Sequence, residues 1–214
     1  TFSALTGLNN ASKRLQNSAN NLANVQTAGF KKGEVTSVQS KSGGTRVNSV
    51  AKVNTQGGLI PTNNPLDLAI EGNGFFQVTN PNGGVSFTRS GSFSLNGAGQ
   101  VVDSSGNALI PQINVPAGNN GISIGANGQI STQTAGGLEV AGQIQLANFN
   151  NPAGLSPAGG NFLNESAASG APVVGNPNQG PFGSVLSGFL EGSNVDIAEE
   201  MVDQIVAKAT FEAN

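Results

Sequence analysis

Two carboxylates are spaced so that they could act together. Asp67 and Glu71 lie four residues apart in PLDLAIEGNG, a segment typical of a strand entering a turn. Residues four apart in a strand share one face, and two carboxyl groups that face a cleft can hydrolyse a glycosidic bond. Acids beside turns are usually solvated, however, so this pair is a weak basis for an enzyme.

Nucleophilic chemistry and metal chemistry are excluded more firmly. The chain has no histidine, cysteine, tyrosine or tryptophan. The Ser-His-Asp triad, the Cys-His pair and the common zinc sites each need histidine or cysteine. We therefore predict no catalytic residue, no cofactor and no metal.

Two short motifs that could suggest ligand binding are better explained as turns. GNGFF, residues 72–76, contains G-x-G, but it lacks the third glycine of a dinucleotide-binding loop and no helix follows it. DSSGN, residues 103–107, offers oxygen atoms to calcium without the spacing or the final glutamate of an EF-hand. We predict a tight turn entering a buried strand at the first motif and a hairpin turn at the second.

The charge content argues against several classes of partner. Only 10% of the residues are charged and the net charge is −3, which gives no footprint for nucleic acid or an acidic membrane surface. We predict no nucleic-acid partner and no small-molecule substrate. No apolar run approaches the roughly 18 residues of a membrane span, and the first residues lack the features of a cleaved signal peptide. The basic residues around the first helix are expected to be solvated; they are Lys13, Arg14, Lys31 and Lys32.

The chain is expected to begin with a helix. Leucines recur every seven residues near the start, and two further apolar residues fall on the same face. This heptad-like spacing predicts a narrow apolar stripe, and Gly29 is the predicted helix stop. The residues of this N-terminal stripe are Leu5, Leu8, Leu15, Ala19 and Leu22.

A second helix is expected in SNVDIAEEMVDQIVAKATFEAN, residues 193–214. Ser193, Asn194 and Asp196 are all possible N-caps, and Asp196 with Glu199 has the spacing of a capping box. The pattern is still helical at Asn214, so we expect the helix to continue further. Isolated helices of this length are marginal in water. We therefore expect the two helices to pack together and to bury their remaining apolar surface against other molecules. The residues of this C-terminal stripe are Val195, Ala198, Val202, Ile205 and Ala209.

Between the helices the pattern changes to short strands separated by turns. FFQV and VSFT, SFSL and QVV, and ISI and QIS are pairs of apolar runs joined by Asn-, Gly- and Pro-containing segments. Such spacing is typical of hairpins in a β-sandwich or small barrel. The predicted fold is mainly β with terminal helices paired as a coiled coil. Its four parts are an N-terminal helix (1–30), an extended connector (31–58), a β-rich outer domain (59–187) and a C-terminal helix (188–214).

Five segments, in this order, resemble the family of bacterial flagellar rod and hook proteins. They are NNLANVQTAGFKK, LDLAIEGNGFFQV, FTRSGSFSLNGAGQVVDSSGNAL, GQIQLANFNNPAGLSPAGGNFL and GFLEGSNVDIAEEMVDQIVAKATFEAN. No single segment is decisive, but together they cover nearly the whole chain. The first match is carried by Asn20, Asn21, Leu22, Ala23, Asn24, Thr27, Gly29, Phe30 and Lys31.

The resemblance implies a structural part of the flagellar axis. In that family the terminal helices form a coiled coil that lines a hollow tube, the β-domain forms the outer layer, and the connector packs between neighbours. The implied partners are further copies in a helical homo-oligomer, other rod and hook proteins, and the flagellar type III export apparatus, which needs no cleaved signal. The assembly interface expected from it comprises the two apolar stripes together with Asn24 and Phe30.

Three interpretations remain open at this stage. The single modest β-domain favours a rod protein of the basal body, whereas TRVNSVAKVNTQGG and GQIQLANFNNPAGL resemble hook proteins, and the connector is shorter than in the usual distal-rod subunit. A secreted Gly/Asn-rich adhesin or carbohydrate-binding module would also explain the β-rich middle and the lack of cysteine. It would not explain two terminal helices with apolar stripes.

Overall fold

The computed structural model describes residues 2–39 and 45–213, which contain one helix near each end and short strands between them. This confirms a mainly β fold with two terminal helices. Neither helix within those ranges is long and apolar enough to cross a membrane. The predicted continuation of the second helix at Asn214 lies outside the described residues.

The first half of the chain contains the first helix and eight strands. Their bounds are α1 Phe2–Ala23, β1 Gly33–Gln39, β2 Thr45–Lys52, β3 Leu59–Pro61, β4 Leu68–Glu71, β5 Phe75–Thr79, β6 Val85–Thr88, β7 Phe93–Leu95 and β8 Val101–Asp103. The second half contains nine strands, one 3-10 turn at Pro152–Gly154, and the second helix. Their bounds are β9 Ile122–Ile124, β10 Gln129–Thr134, β11 Gly137–Gln143, β12 Leu146–Asn148, β13 Ser156–Gly159, β14 Phe162–Asn164, β15 Val173–Gly175, β16 Ser184–Ser187, β17 Phe189–Glu191 and α2 Ile197–Ala213.

The strands form several open antiparallel sheets. The largest has the order β13-β14-β6-β5-β12-β15, and a second has the order β11-β10-β9. The predicted hairpins β5–β6, β7–β8 and β9–β10 are confirmed. No sheet in the described ranges closes on itself, so the small-barrel alternative is wrong; the strands are too short and divided among too many ladders to close one.

The core lies on both faces of strand β5. Phe76 is fully buried in the larger cluster with Leu68, Ile130 and Leu146, whereas its neighbour Phe75 belongs to a smaller cluster. Successive residues of a strand point to opposite faces, so the FF pair joins the two clusters. The predicted tight turn precedes it, since Gly72 and Gly74 have φ values of 109° and 131°.

The predicted extended connector is folded back on itself. Strands β1 and β2 pair antiparallel with Val35 opposite Val50, and the register shifts between Thr36 and Ser37. Both strands also contact α1. The sequence did not indicate this pairing, because the segment has no clear apolar period. The ladder is completed by backbone hydrogen bonds and by contact with the helix. Residues 40–44 of the connector lie outside the described ranges.

Candidate functional site

The carboxylate of Glu191 is the centre of a buried ionic cluster. Glu191 has no exposed surface, and its two oxygens bind two different cations. Arg89 Nε donates to Oε2 at 2.8 Å, and Lys31 Nζ donates to Oε1. Lys31 and Arg89 are each only 6% exposed. Three segments far apart in the sequence therefore meet at one buried carboxylate.

The guanidinium of Arg89 also organises the turn between β4 and β5. Its Nη1 donates to the carbonyl oxygens of Gly72 and Gly74 at 2.9 and 2.6 Å, and its Nη2 donates to that of Ile70 at 3.2 Å. A guanidinium has five N–H donors in a fixed plane, and Arg89 makes four hydrogen bonds with them. Arg89 thus fixes the outer domain to Glu191 with little freedom to rotate.

The ammonium of Lys31 connects the same carboxylate to the end of the connector. Its Nζ donates to the Thr55 carbonyl at 2.8 Å, and the Gly57 amide donates to Glu191 Oε1 at 3.0 Å. Burial lowers the pKa of Lys31 below 10.5, and the hydrogen bond to Glu191 opposes that shift. Breaking a buried pair of this kind leaves an uncompensated charge, which is strongly destabilising.

Gly29 lets the backbone approach this cluster closely. Its φ is +69°, and its amide donates to the Glu191 carbonyl at 2.7 Å. A Cβ at this position would lie 2.7 Å from the Arg89 carbonyl carbon and closer still to the Ser90 nitrogen. The predicted helix stop is therefore misplaced: α1 ends at Ala23, and Gly29 is needed for contact with β17 and the residues after β6.

Asn21 fastens the end of α1 to the start of β1. Its Oδ1 accepts from the Gly33 amide at 2.9 Å and its Nδ2 donates to the Gly33 carbonyl at 2.9 Å, so it imitates a paired strand residue. The same Nδ2 lies 3.0 Å from Glu200 Oε1, and Ser18 Oγ donates to the Glu200 carbonyl at 3.0 Å. One asparagine thus links both terminal helices to the β1–β2 pair.

Asn194 has the corresponding role before α2. Its Oδ1 accepts from the Lys32 amide at 2.7 Å, and its Nδ2 donates to the Val53 carbonyl at 2.8 Å. Asp196 then caps the helix, because its Oδ1 accepts from the amides of Ala198 and Glu199. Asp196 is therefore the N-cap among the three candidates, whereas the Glu199 side chain bonds a lysine and no bond to the Asp196 amide is observed in the described residues. The side chain of Glu199 binds Lys32 Nζ at 2.9 Å, and this hydrogen bond raises the pKa of Lys32.

Phe30 and Lys52 complete the surroundings of the cluster. Phe30 is buried, and the Lys52 Nζ lies 4.5 Å from its ring centroid. The same Nζ donates to the Lys31 carbonyl at 3.0 Å. Burial lowers the pKa of Lys52. We use the name joint for the buried cluster of Lys31, Arg89 and Glu191 together with the residues around it, namely Asn21, Phe30, Lys32, Lys52 and Asn194.

The two terminal helices pack antiparallel, but not through the predicted stripes. The residues buried in α1 are small or polar, namely Asn10, Ala11, Ser18 and Asn21, and those buried in α2 are Glu200 and Ala207. Ser18 contacts Glu200, whereas Arg14, one turn earlier in α1, lies 3.9 Å from Asp203, one turn later in α2. The two helices therefore run in opposite directions. The predicted coiled-coil pairing of the two helices is therefore not confirmed by these contacts.

The predicted stripe residues lie mostly outside this contact. Leu8, Leu15, Leu22 and Val195 are half-buried, whereas Leu5, Ala19, Ala198, Val202, Ile205 and Ala209 are exposed. Val202 is 58% exposed and Ile205 68%. Of the two further interface candidates, Phe30 belongs to the joint, and Asn24 is bonded locally to Asn20 and Thr27. Whether the stripes contact other molecules stays a prediction.

Sequence reasoning missed Arg89 and Glu191 and misjudged Lys31. All three occur in the segments that carry the family resemblance, but a charged residue beside a turn was expected to be solvated. Their burial depends on contacts between distant segments, which local patterns do not encode. Asp67 and Glu71 form no cleft pair, because Asp67 is buried at a β-bridge to Ser92 and Glu71 is exposed. Asp103 accepts from Ser105 and Asn107 amides, which confirms the predicted turn.

Two family models match the chain. One is described as "Flagellar hook protein FlgE/F/G D1 domain" and matches residues 69–132. The other is described as "Flagellar basal body rod FlgEFG protein C-terminal" and matches residues 186–214. The first range contains Arg89 and the second contains Glu191, so the joint connects the two matched regions.

Individual relatives match over a greater length. The chain is 35% identical to the flagellar basal-body rod protein FlgG of Agrobacterium fabrum, over 99% of this chain and 90% of that protein. It is 33% identical to the FlgG of Bacillus subtilis, over 100% of this chain and 91% of that protein. The flagellar hook protein FlgE of Brucella melitensis is 33% identical over 81% of this chain, but only 42% of that protein is covered.

Proposed function

This chain belongs to the family of flagellar basal-body rod proteins, and from that premise we propose that its copies assemble helically into the wall of a hollow tube. The chain is a structural subunit of the flagellar axis and not an enzyme. It assembles with other axial proteins in the basal body. Our proposal covers the tube, the contacts between identical copies, and the role of the tube in transmitting torque and conducting exported subunits.

The exposed apolar face of α2 is the observation that carries this proposal. Six large apolar side chains of this one helix are 45–68% exposed, although α2 is already packed against α1. Contiguous apolar surface of this kind marks an interaction site in soluble proteins. The six residues, which we call the α2 face, are Ile197, Met201, Val202, Ile205, Val206 and Phe211.

A neighbouring copy is the occupant that the α2 face fits best. Within one chain the helices meet through Ala11, Ser18, Glu200 and Ala207, so the apolar surface remains available after intramolecular packing. If the face docks on a different surface of the next copy, the contact is head-to-tail and does not close. Repeated contacts of that type generate an open helical assembly.

A rod subunit is favoured over a hook subunit. The match to the FlgG of Agrobacterium fabrum spans 90% of that protein, whereas the match to the FlgE of Brucella melitensis spans 42% of it. The aligned region therefore covers nearly all of the first protein and less than half of the second. We further propose that the rod spans the periplasm and that the subunit leaves the cytoplasm through the flagellar type III export apparatus without a cleaved signal.

The four predicted parts would then have distinct roles in the tube. The terminal segments 1–30 and 188–214, which contain α1 and α2, would line its interior. The β-rich region 59–187 would form its outer layer, and the connector 31–58 would pack between copies. The joint supports this division, since Glu191 fixes the outer domain, the connector and the approach to α2 to one another. Torque applied to the helices would pass through that buried cluster to the outer layer.

Assembly of the full-length chain tests the proposal with a matched pair of variants. Val202 and Val206 on α2 are 58% and 46% exposed, and Val173 and Val174 on the edge strand β15 are 55% and 45% exposed. The Val202→Thr, Val206→Thr double variant should remain folded and fail to sediment as filaments. The Val173→Thr, Val174→Thr double variant removes the same apolar groups and should sediment as the parent does.

Three results would contradict the proposal. If both double variants lose assembly, general apolar association and not the α2 face drives it. If neither does, the α2 face is not an interface. A parent chain that stays monomeric under all assembly conditions and binds a glycan would instead favour the adhesin or carbohydrate-binding interpretation.

A further inference from the structure

A cleft on the outer side of the joint is lined by basic residues and by no acidic residue that the structure describes. It has a volume of about 350 Å³ and lies between the end of α1, the turn at Gly29 and the turn between β13 and β14. Lys31, Lys52 and Arg89 supply its charge, and Phe30 and Phe162 supply apolar wall. We call it the basic cleft.

The carboxylate nearest to the basic cleft is already occupied. Glu191 lies behind the wall and binds Lys31 and Arg89 with its two oxygens. Lys52 forms no ion pair with any described residue; its Nζ has one hydrogen bond, to the Lys31 carbonyl, and one ring contact, to Phe30. An ammonium has three donors, so Lys52 has capacity for an anionic acceptor.

The surroundings of Lys52 make it unfavourable for its ammonium group to remain without an anionic partner. Its side chain is partly buried, and burial lowers its pKa because no carboxylate offsets the desolvation. A buried charge is usually paired. The three cations around this cleft face a single carboxylate, so the local charge is unbalanced in the isolated chain.

We propose that the basic cleft receives a glutamate side chain from a second copy of this chain, with Lys52 as its ion-pair partner. This inference rests on the self-assembly proposed above and adds a specific polar contact to it. The bound carboxylate would accept hydrogen bonds from the Lys52 ammonium in a partly desolvated site. Charge-assisted bonds of that type specify register between partners.

The chain itself contains glutamate residues that could supply this carboxylate. Glu34, Glu71, Glu139 and Glu165 are exposed, and none of them forms an ion pair with a described residue. Glu139 is the first choice, because it lies on the edge strand β11 between Leu138 and Val140, which are 71% and 61% exposed. Because neighbouring residues of a strand point to opposite faces, the Glu139 carboxylate can enter the basic cleft while Leu138 and Val140 stay on the opposite face of β11.

Such a contact would be directional. The basic cleft and strand β11 are different surfaces of one chain, so the contact is head-to-tail and each copy has one of each. Contacts of this kind extend an assembly without closing it unless the rotation happens to form a ring. The basic cleft would therefore cooperate with the α2 face in setting the order in which copies stack.

Substitutions of Lys52 in the full-length chain test the contact. Lys52→Met keeps much of the stem and removes the charge, and it should raise the concentration needed for filament formation by about tenfold. It should also reduce the sensitivity of assembly to salt, because an intermolecular ion pair is screened by salt. Asn82→Glu, in an exposed loop, changes the net charge by the same one unit and should leave both quantities unchanged.

A charge exchange identifies the second copy as the source. Lys52→Glu should prevent assembly, and Lys52→Glu combined with Glu139→Lys should restore it. Glu34→Lys, Glu71→Lys and Glu165→Lys are each combined with Lys52→Glu in separate variants. Restoration by any one of the four supports the proposal. If Lys52→Glu prevents assembly and none of the four exchanges restores it, the carboxylate does not come from a second copy and the proposal is overturned.

The outcomes also separate this proposal from the proposed function. A parent chain that forms filaments while Lys52→Met forms them at the same concentration and with the same salt dependence overturns the basic cleft alone. A parent chain that forms no filaments at all overturns the self-assembly on which the inference depends.

Discussion

Arg89 Nε donates to Glu191 Oε2 at 2.8 Å across 102 positions of sequence, and both side chains are buried. Lys31 binds the other oxygen of the same carboxylate. These residues belong to three of the segments by which the sequence resembles flagellar axial proteins. The segments therefore share a structural purpose: they hold the first helix, the outer domain and the approach to the last helix together.

Replacement of Glu191 tests the importance of the buried cluster. Glu191→Gln keeps the size of the side chain but leaves Lys31 and Arg89 without a counter-charge, which should lower the free energy of unfolding by about 3–5 kcal/mol. Urea denaturation measures it. Glu165→Gln, at an exposed position that forms no ion pair with a described residue, should change stability by no more than about 0.5 kcal/mol. A loss below about 1 kcal/mol in Glu191→Gln would mean that the cluster does not hold the segments together.

Substitution of Gly29 tests whether the close approach of the backbone to the cluster is required. Gly29→Ala must adopt φ +69° and also bring a Cβ to within 2.7 Å of the Arg89 carbonyl carbon. Gly118→Ala meets a similar φ of +76° with nothing within 4 Å, so it isolates the conformational penalty.

The two glycine variants should differ clearly in stability. Gly118→Ala should lose about 1 kcal/mol from the left-handed conformation alone, and Gly29→Ala should lose about 2 kcal/mol more from the clash. Thermal unfolding of both proteins gives the comparison. Equal losses would show that the space around Gly29 can adjust and that its contact with Arg89 and Ser90 is not required.

The sequence was a good guide to elements and a poor guide to the joint. The β5–β6 hairpin, the Asp196 cap and the turn at Asp103 were all predictable, because the residues that form them are neighbours in sequence. For the β1–β2 pair the sequence alone predicts an extended connector. Its partners are supplied by backbone bonds and by α1, and neither has a signature in the polar segment itself.

The helix contacts show a further limit of periodicity. The leucine spacing of α1 and the valine and isoleucine spacing of α2 indicated two apolar faces, but the chain buries Ser18, Asn21 and Glu200 between its helices. A pattern of apolar residues identifies a surface that should be buried. It does not say whether the partner is the same chain or another, and the structure leaves Val202 and Ile205 exposed.

Asn21 tests the link between the two helices and β1. Asn21→Ala removes the partners of the Gly33 amide and carbonyl and one donor to Glu200, all of them buried. The free energy of unfolding should fall by about 3 kcal/mol, because buried polar groups lose their hydrogen bonds. Asn20→Ala provides the control. It removes only the exposed Oδ1 that accepts from Asn24 Nδ2, and that bond should contribute no more than about 0.5 kcal/mol.

The comparison of these adjacent asparagines removes the effect of helix propensity. Alanine is the better helix former at both positions by the same amount, so a difference between the variants in urea denaturation reports the hydrogen bonds. If Asn21→Ala were as stable as Asn20→Ala, the link through Gly33 and Glu200 would have no part in holding the helices.

The lysines of the joint should respond to pH in opposite directions. Burial lowers the pKa of Lys52 below 10.5, and the hydrogen bond to Glu199 raises the pKa of Lys32 above it. Between the lowered pKa and 10.5 the unfolded state binds more protons at Lys52, so this residue makes the free energy of unfolding rise with pH. The contribution of Lys32 is complete below 10.5 and is lost as pH rises through its folded pKa.

Urea denaturation from about pH 8 to about pH 12 separates the two effects. Lys52→Met should remove part of the rise in stability below pH 10.5. The remainder should persist, because the pKa of Lys31 is lowered in the same direction. Lys32→Met should remove the fall in stability above pH 10.5. Nitrogen-15 NMR of the lysine ammonium groups gives each pKa directly. A Lys52 that titrates at or above 10.5 in the monomer would mean that a carboxylate of the same chain already satisfies it, because only an anion offsets the desolvation of its ammonium.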